Sequence, residues 1–357
     1  LCLWFPWSIQ CSVMWLPRFE KIRNLFRLDT RAGSSSSKVV SCLALSFCLS
    51  GYSTLIAESS GAGGYRPKPI PEMQALPLPH DQLSIQNKGT ELLRFHFGNE
   101  LRRPFIYPVN GPSGLSLTRM GHPHDPHGHS HHNSVWISHH MINEIDFWGD
   151  RGANKGRIVH QKVDSLEDSD IHAGVVSSSL WKDPEDQVVF KEWRRIVAEA
   201  RPEGQYLMII DLKLEAVLPE VTIRKTPFGM IGVRMAKSIG VHDGGGRIIN
   251  SNGQINEEET FWKSARWVDY SGQITSGVVE GLTLMDHPNN PNHPSVFHIR
   301  NDGWMGACLT FDGDRILKKG ESIQLRYGIY VHSNLLTPAE MELEWGQFGE
   351  TKRFSFK

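Results

Sequence analysis

Residues 188–217 read VVFKEWRRIVAEARPEGQYLMIIDLKLEAV, two long apolar runs with a turn signal, ARPEG, between them. IVAEA alone is compatible with a helix. The surrounding Val, Ile, Phe, Tyr and Trp favour extended backbone, and a Pro/Glu/Gly break between two such runs is how an antiparallel hairpin is written. The same style continues on both sides. LSIQNKGTELLRFHFG, RRPFIYPV and GRIVHQKV precede the hairpin; VTIRKTPFGMIGVRMA, FWKSARWVDYSGQI, SGVVEGLTLMDHP, SVFHIRNDG, WMGACLTF and ESIQLRYGIYVHS follow it. All have β-branched or aromatic content and end at Gly, Asn or Pro. Only TPAEMELEWGQF, after Leu336, reads as a helix, with Thr337 as its cap and Pro338 at the first helical position. No repeat of fixed period is visible. Many short strands and one short helix predict an all-β chain, a sandwich or barrel, and more closely a large antiparallel β-sandwich of the supersandwich type with a short C-terminal helix.

The outer parts of the chain read differently. Leu1 is not a methionine, and residues 1–37 carry no expectation about the fold. A basic flank from Arg18 to Lys38 leads into VVSCLALSFCLSGYSTLIA, Val39 to Ala57, and then into polar ESSGAGG. That is the pattern of a secretory leader, with cleavage expected near Ala57 and a secreted or periplasmic protein as the product. The expected organisation is leader and extension over 1–57, a Gly/Pro-rich linker over 58–80, and a single sandwich domain over 81–357. Cys2, Cys11, Cys42 and Cys48 fall in the leader region, which leaves Cys308 without a partner and rules out a disulfide framework or a cysteine zinc site. No later run approaches membrane-spanning length, so no membrane span is expected in the mature chain. Lys plus Arg, 38, balance Asp plus Glu, 39, and no basic stripe follows the leader, which excludes a nucleic-acid partner.

The chemistry is concentrated elsewhere. His122 to Trp148 reads HPHDPHGHSHHNSVWISHHMINEIDFW and holds eight of the seventeen histidines. Neutral imidazole is both the commonest metal ligand and the side chain that titrates near neutrality, so such density points to metal binding, proton transfer or polar recognition. Residues two apart on a strand share a face, which sets His129 and His131 together, with His139 returning from SVWISHH to complete a three-histidine divalent-metal site. A metal-free acid/base site is the alternative. His122, His124 and His127 have loop composition and are expected at the surface. The patterns of cupins, facial-triad oxygenases, HExxH zinc enzymes and GxSxG hydrolases are all absent. A second group, MDHPNNPNHPSVFHIRNDG at 285–303, brings Asp286, His287, His293, His298 and Arg300. There a carboxylate beside an imidazole, with an arginine on the same strand face as His298, fits acid/base work or, equally, a turn-stabilising Asp and a structural ion pair. Trp136, Trp148, Trp262, Trp267 and Trp304 lie in or near these motifs and suit either stacking on sugar rings or the core.

RPFIYPVNGPSG (103–114), HSHHNSVWISHHMINEIDFWG (129–149), GRIVHQ (156–161), FGMIGVRMA (228–236), ARWVDYSG (265–272) and LMDHPNNPNHPSVFHIRNDG (284–303) together resemble the bacterial family of exported β-rich proteins carried under the name methane oxygenase PmoA. The resemblance implies His129, His131, His132, Trp136, His139, Asn143, Asp146, Trp148, Asp286, His287, His293, His298 and Arg300 as the family's positions. Asn133 and Ser134 stand where that family carries an Arg-Gly pair. The label implies a metal-dependent oxidoreductase. The residues themselves favour a polyhydroxylated small molecule or carbohydrate as substrate, transformed by acid/base chemistry such as hydrolysis, elimination or epimerisation. In that reading His131 or His139 is the acid or base, Asp286 orients His287, Arg300 holds the substrate, and Trp136, Asn143, His293 and His298 bind it. A carbohydrate-binding protein without catalysis is the third reading.

Overall fold

The computed structural model describes residues 68–356. The apolar run at 39–57, the cleavage expected near Ala57 and four of the five cysteines lie outside the described residues. In chain order the strands are β1 (Met73–Leu78), β2 (Gln82–Asn87), β3 (Thr90–His96), β4 (Phe105–Val109), β5 (Val135–His139), β6 (Arg157–Asp168), β7 (His172–Lys182), β8 (Val188–Ala200), β9 (Tyr206–Ala216) and β10 (Glu220–Ile223). They continue as β11 (Thr226–Arg234), β12 (Arg247–Asn250), β13 (Lys263–Ser264), β14 (Trp267–Thr275), β15 (Val278–Asp286), β16 (Val296–Arg300), β17 (Trp304–Thr310), β18 (Arg315–Lys318) and β19 (Ser322–Ser333). Three helices, α1 (Val241–Gly244), α2 (Asn256–Thr260) and α3 (Pro338–Glu350), complete the described residues, with a 3₁₀ turn at Pro202–Gly204.

Two large sheets pack face to face. One has the order β1-β2-β3-β4-β5-β11-β17-β16-β13, the other β12-β14-β15-β19-β9-β8-β7-β6, and β10 pairs with β18 in a small ribbon. Every pairing within these sheets is antiparallel. The fold is thus the expected all-β sandwich with a short C-terminal helix. Part of the expected linker is strand: β1 pairs along its whole length with β2, so the first sheet begins at Met73.

Residues 188–217 form the β8–β9 hairpin, turning at Pro202–Gly204, and its register runs from Phe190 opposite Ala216 to Ala200 opposite Tyr206. Its apolar runs lack alternation because β9 is covered on both faces. Met208, Ile210, Leu212 and Leu214 enter the inter-sheet core, whereas Leu207 and Ile209 pack outward with Met341 and Phe348 of α3. A strand buried on both sides reads as a continuous apolar run. Thr337 caps α3 in a reciprocal capping box with Glu340, worth about 1 kcal/mol.

The first sheet also has two unlike faces. On β5, β11, β16 and β17 the residues Ile137, Ile231, Val233, Ile299, Met305 and Ala307 face the core. The other face carries a register row, Trp136 opposite Gly232, Gly232 opposite Gly306, and Gly306 opposite His298. The neighbouring row sets Arg234 opposite Trp304 and Trp304 opposite Arg300.

Candidate functional site

Those two rows form the floor of a cleft of about 550 Å³. Its aromatic base is a cluster of Trp136, Trp148, Trp304 and Phe105 separate from the main core. Gly232 and Gly306 make it possible. A Cβ on Gly232 would lie 2.8 Å from Trp304 and 2.9 Å from Trp136, and one on Gly306 would lie 3.0 Å from Trp304, so the indoles lie over bare backbone. His132 stacks on both, with ring centroids 5.5 Å from Trp136 and 5.2 Å from Trp304.

The walls come from two irregular segments, 122–134 and 146–155. Residues 126–131 form successive turns and no strand, so His129 and His131 are neighbours through loop geometry, 5.7 Å apart by ring centroid. Arg103, 1% exposed, binds the two segments together. It donates to Asn133 Oδ1 (2.6 Å), to the carbonyls of Phe147 (3.1 Å) and Trp148 (2.7 Å) and to Asp150 Oδ1 (3.0 Å). On the second segment, Asp146 accepts from the backbone N–H of Trp148 and Gly149 and pairs with Lys155. Burial opposes its charge, but Lys155 and these N–H groups outweigh that and hold its carboxyl below the usual range.

Contrary to the surface position expected for it, His122 lines the cleft. Its Nδ1 accepts the backbone N–H of His124 (3.0 Å) and of Asp125 (3.0 Å), which leaves the proton on Nε2, 2.8 Å from Asp302 Oδ2. Arg234 Nη1 donates to the other Asp302 oxygen at 2.9 Å. Asp302 pays for its burial through Arg234 and His122, which keep its carboxyl below the usual range. Both nitrogens of His122 are therefore committed, and it is a pillar for the loop. His129 differs: its Nδ1 meets Asp125 Oδ2 at 2.7 Å, a carboxylate–imidazole pair that leaves Nε2 free. The ring of His131 makes no hydrogen bond to protein, and burial, reinforced by the Arg103 charge, pushes its pKa down to about 4. Burial also lowers His298 to about 4 and lowers His132.

Unpartnered polar atoms gather in these same residues. Nδ1 of His132 and His298, Nε1 of Trp136 and Trp304, and Nε and Nη2 of Arg234 are buried without a hydrogen-bond partner. Each such group costs about 1–3 kcal/mol, and a concentration of them at one cleft does not serve stability.

Of the residues expected from sequence, His129, His131, His132, Asp146, Trp148, His298, Arg300 and Trp304 line this cleft, and Trp136 lies beneath it. Arg300 sits at the rim, its Nε 2.6 Å from Glu257. The others go elsewhere. On β5, Val135 and Ile137 face the core, and His139 shares their side; its Nε2 is 2.9 Å from Thr310 Oγ1, and burial takes its pKa to about 3. The trio of His129, His131 and His139 is therefore not a metal site, and His139 is not an acid or base in the cleft. Asn143 is a turn residue with φ of 49°, its Oδ1 accepting from Thr222 N at 2.7 Å.

Asp286 does not orient His287. It accepts from His293 Nδ1 (2.9 Å), Ser295 N (2.8 Å) and Asn290 Nδ2 (2.7 Å), fixing the loop that crosses between the two sheets. His287 Nε2 instead lies 3.1 Å from the Thr351 carbonyl and its ring is edge-on to Phe348, while His293 stacks on Trp345. Asp286, His287 and His293 thus dock α3. Sequence reasoning passed over Asp125 and Asp302 and gave Arg234 little weight. Their signal was weak, an Asp four residues before His129 and a charged residue in the apolar run GMIGVRMA.

No curated protein matches the chain. Among solved structures, a polysaccharide lyase is 10% identical with a TM-score of 0.31, over 78% of this chain and 35% of that one. A heparinase III gene product is 10% identical with a TM-score of 0.25, over 71% of this chain and 30% of that one. The chain spans about a third of the length of these structures, and likeness this low carries no argument about shared chemistry. The methane oxygenase label does not appear in these comparisons. The model of DUF6807, a family of unknown function, matches residues 82–346, and the chain belongs to that family.

Proposed function

We propose that the cleft binds a polyhydroxylated substrate, a carbohydrate, and transforms it by proton transfer through His129 and His131. The observation that carries this reading is the pairing of two unlike imidazoles on one wall. His131 is held neutral, with its pKa near 4 and no protein partner, which makes it a proton acceptor at neutral pH. His129 is backed by Asp125, which fixes the ring through Nδ1 and leaves Nε2 facing the cleft as the second proton-transfer group. Trp148, Phe228 and Trp304 line the cleft and offer apolar faces to sugar rings, while Arg300 at the rim supplies positive charge for carboxylate or hydroxyl oxygens. Hydrolysis, elimination and epimerisation all need such an acid and base on one substrate. The reading includes export of the protein, supported by the basic flank and apolar run ending at Ala57.

The test is incubation of the purified chain with neutral and uronate-containing oligosaccharides, followed by mass spectrometry of the products. A chemically altered sugar, with turnover at least about 100-fold lower in His131→Ala, is the expected result. Equal turnover in that variant would overturn the assignment, and binding without alteration would favour a carbohydrate-binding protein.

A second reading, a metal-dependent oxidoreductase as the methane oxygenase resemblance implies, draws on the crowding of His122, His129, His131 and His132, whose ring centroids lie 4.7 to 6.1 Å apart between neighbours. Stoichiometric copper or iron in the purified protein, lost with His131→Ala, would favour it over the metal-free cleft.

A further inference from the structure

Of the two histidines of the loop that do not line the cleft, His124 and His127, the first faces another histidine from a distant segment. His124 lies with its Nε2 2.8 and 2.9 Å from the two carboxylate oxygens of Asp243, and its ring is 5.6 Å from that of His242. One nitrogen from each histidine and one Asp243 oxygen all fall within 4.8 Å of one another, the one such donor group of three or more His, Cys, Asp or Glu among the described residues.

The segment bearing the last two is built for a tight approach. A Cβ on Gly244 would lie 1.8 Å from the Ser238 carbonyl oxygen, and one on Gly246 1.9 Å from that of Ile239, so VHDGGG closes against Ser238 and Ile239 as only glycines allow. His242 N donates to the Asn301 carbonyl at 2.9 Å, and His124 N to His122 Nδ1 at 3.0 Å. Both halves of the group are therefore tied to backbone before any ligand arrives.

We propose that His124, His242 and Asp243 bind a divalent late first-row transition metal of the Zn²⁺ type at the rim of the cleft. Two imidazoles and one carboxylate are borderline donors that suit Zn²⁺ or its neighbours and not Ca²⁺ or Mg²⁺. In a tetrahedral shell with bonds near 2.0–2.2 Å, ligand atoms stand about 3.3 Å apart, so small side-chain rotations close the group on an ion. The ion takes the place of the hydrogen bond between His124 and Asp243. Lys237, whose Nζ is 3.9 Å from Asp243 and whose side chain is 53% exposed, swings into solvent. Three protein ligands leave a position for water. The ion would clamp residues 122–129, which carry Asp125 and His129, to α1 beside Asn301 and Asp302. This site is independent of the chemistry proposed for the cleft.

The experiment is calorimetric titration of Zn²⁺ into chelator-stripped, dialysed protein, with melting temperature followed in parallel. Wild type is expected to take up one equivalent and to melt higher as Zn²⁺ is added. His242→Ala removes a ligand and keeps the His124–Asp243 hydrogen bond; it is expected to keep its metal-free melting temperature and to bind at least about 10-fold more weakly, the low end of what losing even a supporting partner costs. Asp243→Asn should do the same, and His131→Ala should bind as wild type does. Equal affinity in His242→Ala, loss of binding in His131→Ala, or no Zn²⁺ binding by wild type would each overturn the proposal.

Discussion

Asp302 accepts a hydrogen bond from Arg234 Nη1 at 2.9 Å, and it is the carboxylate that balances a guanidinium with no exposure to solvent. Two further Arg234 nitrogens have no partner, so this one contact carries the whole compensation of a buried charge. Asp302→Asn keeps the shape and removes the charge. It should cost roughly 3 kcal/mol, the low end for breaking a buried pair, read as a lower midpoint in denaturant unfolding. A midpoint unchanged from wild type would mean that Arg234 finds its compensation elsewhere.

Arg103 makes its four close hydrogen bonds from a single planar fork, to acceptors on both cleft walls. Lysine keeps the charge but cannot reproduce that geometry. Arg103→Lys is expected to lose about 2–4 kcal/mol of stability and to loosen residues 129–133 and 146–150, which hydrogen exchange would report as faster exchange confined to those segments. Unchanged protection there would remove Arg103 from its role as the tie.

Stability should depend on pH in a defined window. Unfolded imidazoles titrate near 6.5, whereas burial holds His131 and His298 at about 4 and His139 at about 3 in the fold. Between those values the unfolded chain binds protons that the folded chain refuses. Their contribution is complete above pH 6.5 and is lost as the pH falls toward 4, at about 1.4 kcal/mol per unit for each fully shifted group. The melting temperature should drop across that window, and less steeply in His298→Gln. A flat profile would contradict the burial of these rings in their neutral form.

Activity, if it runs through neutral His131, should survive mild acid. The acid limb of kcat/KM is expected below pH 5. A limb centred near 6.5 would point to an unshifted histidine as the base.

The fold was readable because its signals are local. Alternation, turn residues and the Thr337–Pro338 start of α3 each describe a few neighbouring positions, and β9 lost its alternation for a reason that its own run of apolar residues announces. The site was half readable. Histidine density pointed to the loop that walls the cleft, since no core needs that many imidazoles, but strand parity is not what pairs His129 with His131, because turns place them. The same parity rule, applied from Val135 through Ile137, would have sent His139 into the core. Asp286 and Asp302 are both short carboxylates beside turns, sixteen residues apart in sequence. Which one faces an open cleft depends on which sheet receives its strand, and β15 and β16 belong to different sheets. Arg234 becomes a floor residue only through its register with Trp304, which sequence does not express.

Gly232 and Gly306 separate two properties that most sheets combine. The residues beside them, Ile231, Val233, Met305 and Ala307, hold the sandwich together from the inner side, while the glycines decide how low the indoles sit on the outer side. The cleft therefore has a depth gauge graduated in methyl groups. Gly232→Ala would lift Trp136 and Trp304 toward the opening without touching the inner face, and the largest ligand admitted should shrink before the fold itself weakens.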